Sequence, residues 1–351
     1  MASTKFPLTV TLLRTSARGF AAVAASRATF APSDGVKASG DYAMWHAHYE
    51  TLILELAAAI DDGNEEQFAD KVEWTRDALN ARGLDSDVLK TALEELCAVL
   101  KESLPSQAWP PLVSFFDAAS KRLDQQPAPS EDDLVGKDDL DVLARDFLST
   151  LEGGHSAKAV ALVVDAIRMD RISTKDVLVG VLPRALEYIG RQWHLGAATV
   201  AEEHIATQAA GRLIEQIMLM SPEPVANGRT AIMTMVEGDN HDIGVRIVAA
   251  FFELDGWKTI CLGANSPAND LANITQHFEA DLVLIGATLN TQREAVRRSI
   301  KAVREVCPNQ AIIVGGAAFT NLEGCAEDLG ANAQALNPEH ALQLGQEIVA
   351  G

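Results

Sequence analysis

The chain has 351 residues, of which 48% are hydrophobic, and its formal net charge is −20. This composition is typical of a soluble, helix-rich protein with two or three folded domains, and it argues against intrinsic disorder. So much negative charge repels phosphate backbones and anionic lipids, and direct binding to nucleic acid or to a membrane is therefore not expected.

Residues 1–41 are expected to form an unstructured tail. They contain basic residues at Lys5, Arg14, Arg18 and Arg27 but no acidic residue before Asp34. This composition is similar to that of an organellar transit peptide, but unstructured N-terminal extensions are more common. We therefore expect a cytoplasmic protein, with an organelle as the alternative if residues 1–33 are a targeting peptide.

A first helical block is predicted at residues 42–126. Leu89, Leu93, Leu96 and Leu100 recur at helical spacing, as apolar residues do on the buried face of a helix. Residues 126–133, which read Gln-Pro-Ala-Pro-Ser-Glu-Asp-Asp, have the composition of a linker.

A second helical block, predicted as a four-helix domain, covers residues 138–220. Thr174 is the expected N-cap of a helix at 177–186, and a long final helix is predicted at 201–218. The four scattered cysteines of the chain show no CxxC spacing and indicate neither disulfides nor a zinc site.

The pattern changes in residues 229–351, where short apolar runs alternate with amphipathic stretches of helical length. The runs are 231–236, 258–262, 282–287, 311–314 and, more weakly, 334–336. Strands that alternate with helices predict an α/β, Rossmann-like (flavodoxin-like) doubly wound parallel sheet, preceded here by all-α helical-bundle domains. Binding sites in such sheets lie at the carboxyl ends of the strands.

The loop after the first predicted strand reads Gly-Asp-Asn-His-Asp-Ile-Gly over residues 238–244. A neutral imidazole at His241 can offer one nitrogen to a metal while Asp239 accepts the proton of the other nitrogen. Gly244, at the start of the next helix, lets a bulky ligand approach the backbone. A divalent metal held by Asp239, His241 and Asp242 is an alternative, although three neighbouring loop residues rarely complete a site. A dinucleotide is not expected, because this turn lacks GxGxxG.

Three further segments follow later predicted strands: Leu-Gly-Ala-Asn-Ser-Pro at 262–267, Gly-Ala-Thr-Leu-Asn-Thr at 286–291, and Gly315-Gly316. In this order they resemble the cobalamin-binding domain shared by methionine synthase, corrinoid proteins and B12 photoreceptors. The resemblance implies a bound cobalamin with His241 as the lower axial ligand of cobalt. The nucleotide tail would pass Thr288, Leu289 and the Gly315-Gly316 turn.

The segment at 286–291 departs from the family pattern. Many members have Ser-x-Leu at a position where this chain has Gly-Ala-Thr-Leu at 286–289. The hydroxyl toward the tail would then come from Thr288 or from Thr291, and the sequence leaves both open.

In the second helical block, nine residues separate Trp193 from Glu203-His204. This spacing resembles the W-x9-EH cap of the B12-dependent photoreceptors. The resemblance implies that Trp193 and Val200 cover the upper, adenosyl-bearing face of adenosylcobalamin, and that Glu203 and His204 make polar contacts there. It also implies that His194 binds cobalt from above after light breaks the cobalt–carbon bond.

The first helical block is acidic and shows no basic recognition helix, so this chain is similar to photoreceptors that lack a DNA-binding domain. The block also resembles the helical region of cobalamin photoreceptors that carry a bilin, such as biliverdin. Aromatic and histidine residues that could line a bilin pocket are Trp45, His46, His48, Trp74 and Trp109. Packing in a helical core explains the tryptophans more simply.

The leading hypothesis from the sequence is a non-catalytic light sensor. Photolysis of adenosylcobalamin would change the conformation, the oligomeric state of a homo-oligomer, or the binding of an unknown protein partner. The alternatives are a corrinoid methyl carrier of a methyltransferase system and a light-independent B12 sensor. An isomerase is disfavoured, because the chain has no catalytic barrel and too few residues to form one.

Overall fold

The computed structural model describes residues 6–30, 42–83, 86–125, 138–320 and 324–350. The chain divides into two compact units, one comprising residues 1–130 with 194–196 and the other comprising residues 131–193 with 197–351. The predicted linker at 126–133 lies outside the described residues. No helix in the described part of the chain is long and apolar enough to cross a membrane.

The first unit is helical. Its helices are α1 (Pro7–Phe30), α2 (Tyr42–Asp62), α3 (Glu65–Ala81), α4 (Ser86–Ser103) and α5 (Trp109–Leu123). These helices share one apolar core, to which α2 contributes Leu52, Ile53 and Leu56.

Helix α1 lies inside the stretch expected to be an unstructured tail, and that expectation is wrong for residues 7–30. Val10, Leu13, Ala17, Ala21 and Ala24 are buried at helical spacing. They give the helix an apolar face that belongs to the core of the unit, and burial of that face stabilises a helix of this length. The absence of acidic residues is therefore no sign of disorder here.

The second unit begins with α6 (Asp139–Glu152), α7 (Ser156–Arg168), α8 (Thr174–Asp176), a π-helical turn (Val177–Val181), α9 (Leu182–His194) and α10 (Val200–Met220). The last residue of α9, His194, is grouped with the first unit. We call these helices, which precede the sheet, the cap. The N-cap before α8 is Ser173, whose hydroxyl accepts from the Asp176 amide, and not Thr174 as predicted. A capping box of Thr199 and Glu202 starts α10.

The rest of the second unit is a five-stranded parallel sheet with strand order β2-β1-β3-β4-β5. The strands are β1 (Thr230–Val236), β2 (Lys258–Ser266), β3 (Leu282–Gly286), β4 (Ala311–Gly315) and β5 (Ala333–Ala335). The helices are α11 (Ile243–Leu254), α12 (Ala268–His277), α13 (Arg293–Val306), α14 (Cys325–Leu329) and α15 (Pro338–Ala350). This architecture confirms the predicted fold class.

Side chains of β1 alternate between two apolar cores, one on each face of the sheet. Ile232 and Val236 belong to the core that includes Val296 of α13, whereas Met233 belongs to the core that includes Phe252 of α11. Burial on both faces explains why the strand sequence is apolar throughout.

The strand order reverses at β1, because β2 lies on one side of this strand and β3 on the other. The crossovers from β1 and from β3 therefore leave in different directions, and their loops meet at the carboxyl edge of the sheet. Met235 is in register with Gly286 there, and Gly286 is in register with Gly315. The sequence-predicted loops therefore converge at one edge.

Candidate functional site

His241 and Asp239 form a hydrogen-bonded pair in the loop after β1. His241 Nδ1 lies 2.8 Å from Asp239 Oδ1, and the His241 backbone amide donates to the same oxygen at 3.1 Å. An ionised carboxylate can only accept, so the imidazole proton lies on Nδ1 and Nε2 keeps its lone pair. Asp239 is fully buried, whereas two thirds of the His241 side chain is exposed. The loop therefore presents an oriented, accessible nitrogen donor.

The environment shifts the titration of both groups in this pair. The hydrogen bond with Asp239 raises the pKa of His241 above its ordinary value against the opposing effect of burial, and the negative charges of Asp239 and Glu203 raise it further. Burial raises the pKa of Asp239, but hydrogen bonds from His241 and Thr288 outweigh it, so this pKa lies below its ordinary value. Asp239 is thus held as a carboxylate beneath the imidazole.

Neighbouring loops hold Asp239 and Gly238 in place. The Thr288 amide, in the loop after β3, donates to Asp239 Oδ2 at 2.7 Å. On the other side, Asn265 Oδ1 accepts from the Gly238 amide at 2.7 Å, and the Asn265 amide donates to the Asp239 carbonyl at 2.9 Å. Asn265 has φ +55°, a left-handed backbone that asparagine tolerates better than most residues.

A cavity of 560 Å³ opens beside His241 at the carboxyl edge of the sheet. Five of the sequence-predicted site residues line it: Gly244, Thr288, Gly315, Gly316 and His241 itself. Most of the remaining lining is apolar, from Met235, Leu284, Ile313 and neighbouring residues. Such a slot suits a large ligand with a long apolar or amide-bearing body.

Two glycines allow close packing at the edge of this cavity. A Cβ on Gly316, which has φ +100°, would lie 2.4 Å from the Ala287 carbonyl oxygen. A Cβ on Gly286 would lie 2.4 Å from Met235 Sδ, so this side chain, which lines the cavity, would have to move. A side chain at 316 thus requires the backbone to move, whereas one at 286 requires a methionine to move.

Residues of the cap that the sequence did not single out also line the cavity. They are Leu178 and Val179 of the π-helical turn, and Pro183 and Glu187 of α9. A π-helical turn often marks a functional site. Glu187 and His241 are the ionisable side chains in the described lining. The signal available in the sequence was the i, i+4, i+8 spacing of Val179, Pro183 and Glu187.

In the described part of the chain, the residues of the W-x9-EH pattern are not among those that line this cavity. Trp193 and Val200 are 38% and 51% exposed. Glu203 accepts from Thr207 Oγ1 at 2.6 Å and lies 2.6 Å from His204 Nδ1. Its charge is nonetheless close enough to raise the pKa of His241.

His194 belongs to the first compact unit. It is 8% exposed, and its ring stacks on Trp74 with 3.7 Å between centroids. Burial lowers the pKa of His194 and so favours the neutral ring. Like Leu289, which is 42% exposed, it does not line the cavity as the described residues define it.

The residues suggested for a bilin pocket have separate surroundings. Trp45 Nε1 and His48 Nε2 are buried without hydrogen-bond partners, and burial lowers the pKa of His48 to about 4. Trp109 Nε1 donates to the Leu104 carbonyl, and Trp74 is 44% exposed. His46 lines an open groove between α1 and α2. The structure does not gather the five around one cavity of the described chain.

Two family models match the second unit of the chain. Residues 229–334 match a model described as a B12 binding domain, and residues 143–217 match a second model with the same description. This chain contains B12-binding domains. The first match spans the sheet and the His241 loop, and the second spans most of the cap.

Curated relatives of the B12-binding region are similar at low identity. A corrinoid protein of Desulfitobacterium hafniense is 25% identical over 183 residues, which cover 50% of this chain and 82% of the relative. The dimethylamine corrinoid protein 1 of Methanosarcina acetivorans is 23% identical, with 51% and 85% covered. The HTH-type transcriptional repressor CarH of Myxococcus xanthus is 26% identical, with 42% and 50% covered.

A solved structure with a similar fold is the monomethylamine corrinoid protein of Methanosarcina barkeri. It has a TM-score of 0.50 and 18% identity, and the match covers 59% of this chain and 96% of that protein. At this identity the similarity concerns the fold alone.

The residues at the site fit a cobalamin. The donor set is one imidazole nitrogen, oriented by a buried carboxylate, and the cavity beside it is bordered by Gly286 and Gly316, where a Cβ would collide with neighbouring atoms. A divalent metal bound by side chains alone is not supported, because no group of three or more His, Cys, Asp or Glu among the described residues could hold one. His241 would meet the cobalt, and Thr288, Gly315 and Gly316 would border the tail.

Proposed function

We propose that this chain is a corrinoid carrier that holds cobalamin with His241 as the lower axial ligand and presents the group on cobalt to a protein partner. One observation carries the proposal: Asp239 fixes the proton of His241 on Nδ1 and leaves Nε2 beside a 560 Å³ cavity. When bound, cobalamin supplies a cobalt that can carry and release a methyl group.

The roles of the protein groups follow from their positions. Asp239 orients the imidazole and stabilises positive charge on it. The mostly apolar walls from β1, β3 and β4 exclude water from the tail slot, and the Thr288 amide holds Asp239 in place. The chain itself holds and presents the cofactor, so we propose that any methyl transfer is catalysed by the partner.

The comparisons favour this function over the light sensor that the sequence placed first. The similar curated relatives named above are mainly corrinoid proteins, among them dimethylamine corrinoid proteins, together with the HTH-type transcriptional repressor CarH. A shared cofactor site accounts for both kinds of similarity.

A light sensor is the second candidate, and the cap favours it. Trp193 and Val200 leave large apolar side chains exposed, and an adenosyl group above the cobalt would cover such surfaces. Glu203 and His204 are paired in the same helix, α10. In this case the bound form would be adenosylcobalamin, and the output a change of assembly.

The deciding experiment uses the full chain loaded in the dark with methylcobalamin or adenosylcobalamin. Absorption spectra and size-exclusion profiles are recorded before and after green light, with His241→Ala as the control. A carrier binds both forms through His241 and keeps its apparent mass in light. A light-driven mass change with adenosylcobalamin supports the sensor instead, and no binding of either form rejects both functions.

A bilin in the first unit is a separate proposal. Its support is limited to the polar atoms of Trp45, His48 and Tyr49, which are buried without partners. Addition of biliverdin to the apo protein tests it: an unshifted absorption spectrum rejects the second chromophore.

A further inference from the structure

Gln292 is a buried side chain that joins the two loops of the site. Its Oε1 accepts from the amides of Thr288 at 3.0 Å and Leu289 at 2.8 Å. Its Nε2 donates to the carbonyl of Gly238 at 3.2 Å. The side chain is 9% exposed, so water does not readily replace these bonds.

The amide of Thr288 connects Gln292 to the pair described above. This N–H is shared between Gln292 Oε1 and Asp239 Oδ2, while Asp239 Oδ1 holds His241. Gln292 therefore acts on His241 by two routes. It holds the Thr288 amide that orients Asp239, and it holds Gly238, the residue before Asp239.

Capping of the 3₁₀ turn Asn290–Gln292, which precedes α13, would not by itself require this geometry. A cap needs an acceptor for the free amides of its own turn, and Oε1 provides it. The bond from Nε2 to Gly238 crosses from the loop after β3 to the loop after β1, 54 residues away in sequence. The side-chain amide of Gln292 thus donates to the loop that carries His241, the proposed cobalt ligand.

We propose that Gln292 is a positioning residue for His241. By fixing the separation of the two loops, it keeps Asp239 in hydrogen-bonding reach of Nδ1 and directs Nε2 toward the cavity. The inference rests on the proposed role of His241 as the ligand of cobalt. Gln292 itself does not line the cavity in the described chain and is not a catalytic residue.

Two variants separate the hydrogen bonds that Gln292 accepts from the one that it donates. Gln292→Glu keeps an acceptor for the Thr288 and Leu289 amides but loses the donor to Gly238, and Gln292→Leu loses both. The matched control is Gln310→Leu. Gln310 is likewise buried, at 8% exposure, and its Nε2 donates to the Ala280 carbonyl at 3.0 Å, so the same deletion is made at a second buried bridge that does not involve the His241 loop.

The first measurement needs no cobalamin. Nitrogen NMR of the apo protein reports the tautomer of His241, whose signal is assigned by its loss in His241→Ala. We expect the wild type and Gln310→Leu to keep the proton on Nδ1, and Gln292→Leu to give a tautomer mixture. An unchanged tautomer in Gln292→Leu, at any loss of stability, overturns the inference and leaves Gln292 as a structural cap.

The second measurement uses hydroxocobalamin, followed by reduction to cob(II)alamin. We expect Gln292→Leu to weaken binding about 10–100-fold, as loss of a supporting partner of a metal-bound histidine usually does. The protein is labelled with ¹⁵N in its histidines, so that a histidine on cobalt gives a two-line splitting and the cofactor's own benzimidazole gives a three-line splitting. The fraction of cobalt whose electron resonance spectrum shows the two-line splitting should fall in Gln292→Leu and in Gln292→Glu, and stay unchanged in Gln310→Leu. Equal fractions in all four proteins overturn the inference. If the wild type does not bind hydroxocobalamin, the proposed function fails, while the tautomer result stands on its own.

Discussion

At the scale of single residues, the orientation of one imidazole depends on one buried carboxylate. Asp239→Asn removes the charge and the strong acceptor below His241 while keeping the shape. Because the hydrogen bond with Asp239 is the largest cause of the raised pKa of His241, this pKa should fall in the variant. Proton NMR titration of the apo protein measures the shift.

The same variant should also weaken cobalamin binding about 10–100-fold, because the tautomer is no longer fixed. Asp242→Asn is the matched control, since Asp242 lies in the same loop and its carboxylate is 4.0 Å from Arg246. If the His241 pKa moved equally in both variants, general loop charge and not the specific pair would set it.

Glu187 gives the cavity its negative charge. Corrinoids with amide side chains can donate to this carboxylate, whereas analogues with free carboxylate side chains meet a like charge. We expect Glu187→Gln to lower, about tenfold, the ratio of the affinity for amide-bearing corrinoids to the affinity for carboxylate-bearing analogues. Competition between cobinamide and a carboxylate analogue measures it, with exposed Glu152→Gln of α6 as the control. An unaltered preference would show that Glu187 does not face the corrin periphery.

The sequence identified Asp239 and His241 because they lie two residues apart in one loop. It missed Gln292 and Glu187, because their roles depend on partners that are distant in the chain: Gly238 for Gln292, and the sheet edge for Glu187. It left Thr288 and Thr291 open, and the structure places the Thr288 amide on Asp239. The roles of Trp193, Val200, Glu203 and His204 remain predictions.

At the scale of elements, the turn after β4 combines a left-handed backbone with close packing. Gly316→Ala should destabilise the protein by about 1–3 kcal/mol, because an alanine is strained at this φ and its Cβ meets the Ala287 carbonyl. Cobalamin binding should also weaken, since the turn lines the cavity. Denaturant unfolding and equilibrium dialysis measure the two effects.

Gly330→Ala separates strain from collision. Gly330 has φ +90°, but its added Cβ would find its nearest neighbour at 3.5 Å, which is ordinary contact. This control should lose stability by backbone strain while keeping cobalamin affinity. Equal loss of affinity in both variants would mean that the effect spreads through the fold and is not local to the turn.

The strands were largely predictable because an apolar run between turn residues is a local signal. β1, β3 and β4 agree with their predicted runs to within a residue or two, whereas β2 continues four residues further, to Ser266. The π-helical turn at Val177–Val181 was not predicted; it packs closely against α6, where a Cβ on Gly180 would lie 2.8 Å from Leu140 Cδ1. Composition alone does not predict helix α1, whose signal in the sequence is the apolar periodicity of Val10, Leu13 and Ala17.

At the scale of the whole molecule, two compact units imply more than one unfolding step. In the proposed site, cobalamin contacts only residues of the second unit. Its binding should therefore raise the unfolding temperature of that unit. The unfolding free energy of this unit should rise by about 2.7 kcal/mol when free cobalamin is at one hundred times its dissociation constant. Calorimetry with and without hydroxocobalamin tests this, and His241→Ala should show a much smaller shift. A rise of every transition by the same amount would contradict independent units.

Acid should affect the first unit through His48. Burial, aided by the charge of Lys71, lowers its pKa from 6.5 to about 4 in the folded chain. Between pH 6.5 and about pH 4, His48 therefore binds a proton more readily in the unfolded chain than in the folded one. The stability of this unit falls as the pH drops through that range. At full effect the loss is about 3 kcal/mol.

His48→Phe removes the titrating group and keeps a ring in the core. The unfolding free energy of this variant, relative to the wild type, should therefore improve as the pH falls from about 7 to about 4.5, since only the wild type must keep an unprotonated imidazole buried. The comparison cancels the acid response of the many surface carboxylates that the two proteins share. Parallel stability curves would mean that His48 is already protonated or exposed in the native unit. A stability difference, variant minus wild type, that rises as the pH falls while the cobalamin-sensitive transition stays unmoved would assign the acid response to the first unit.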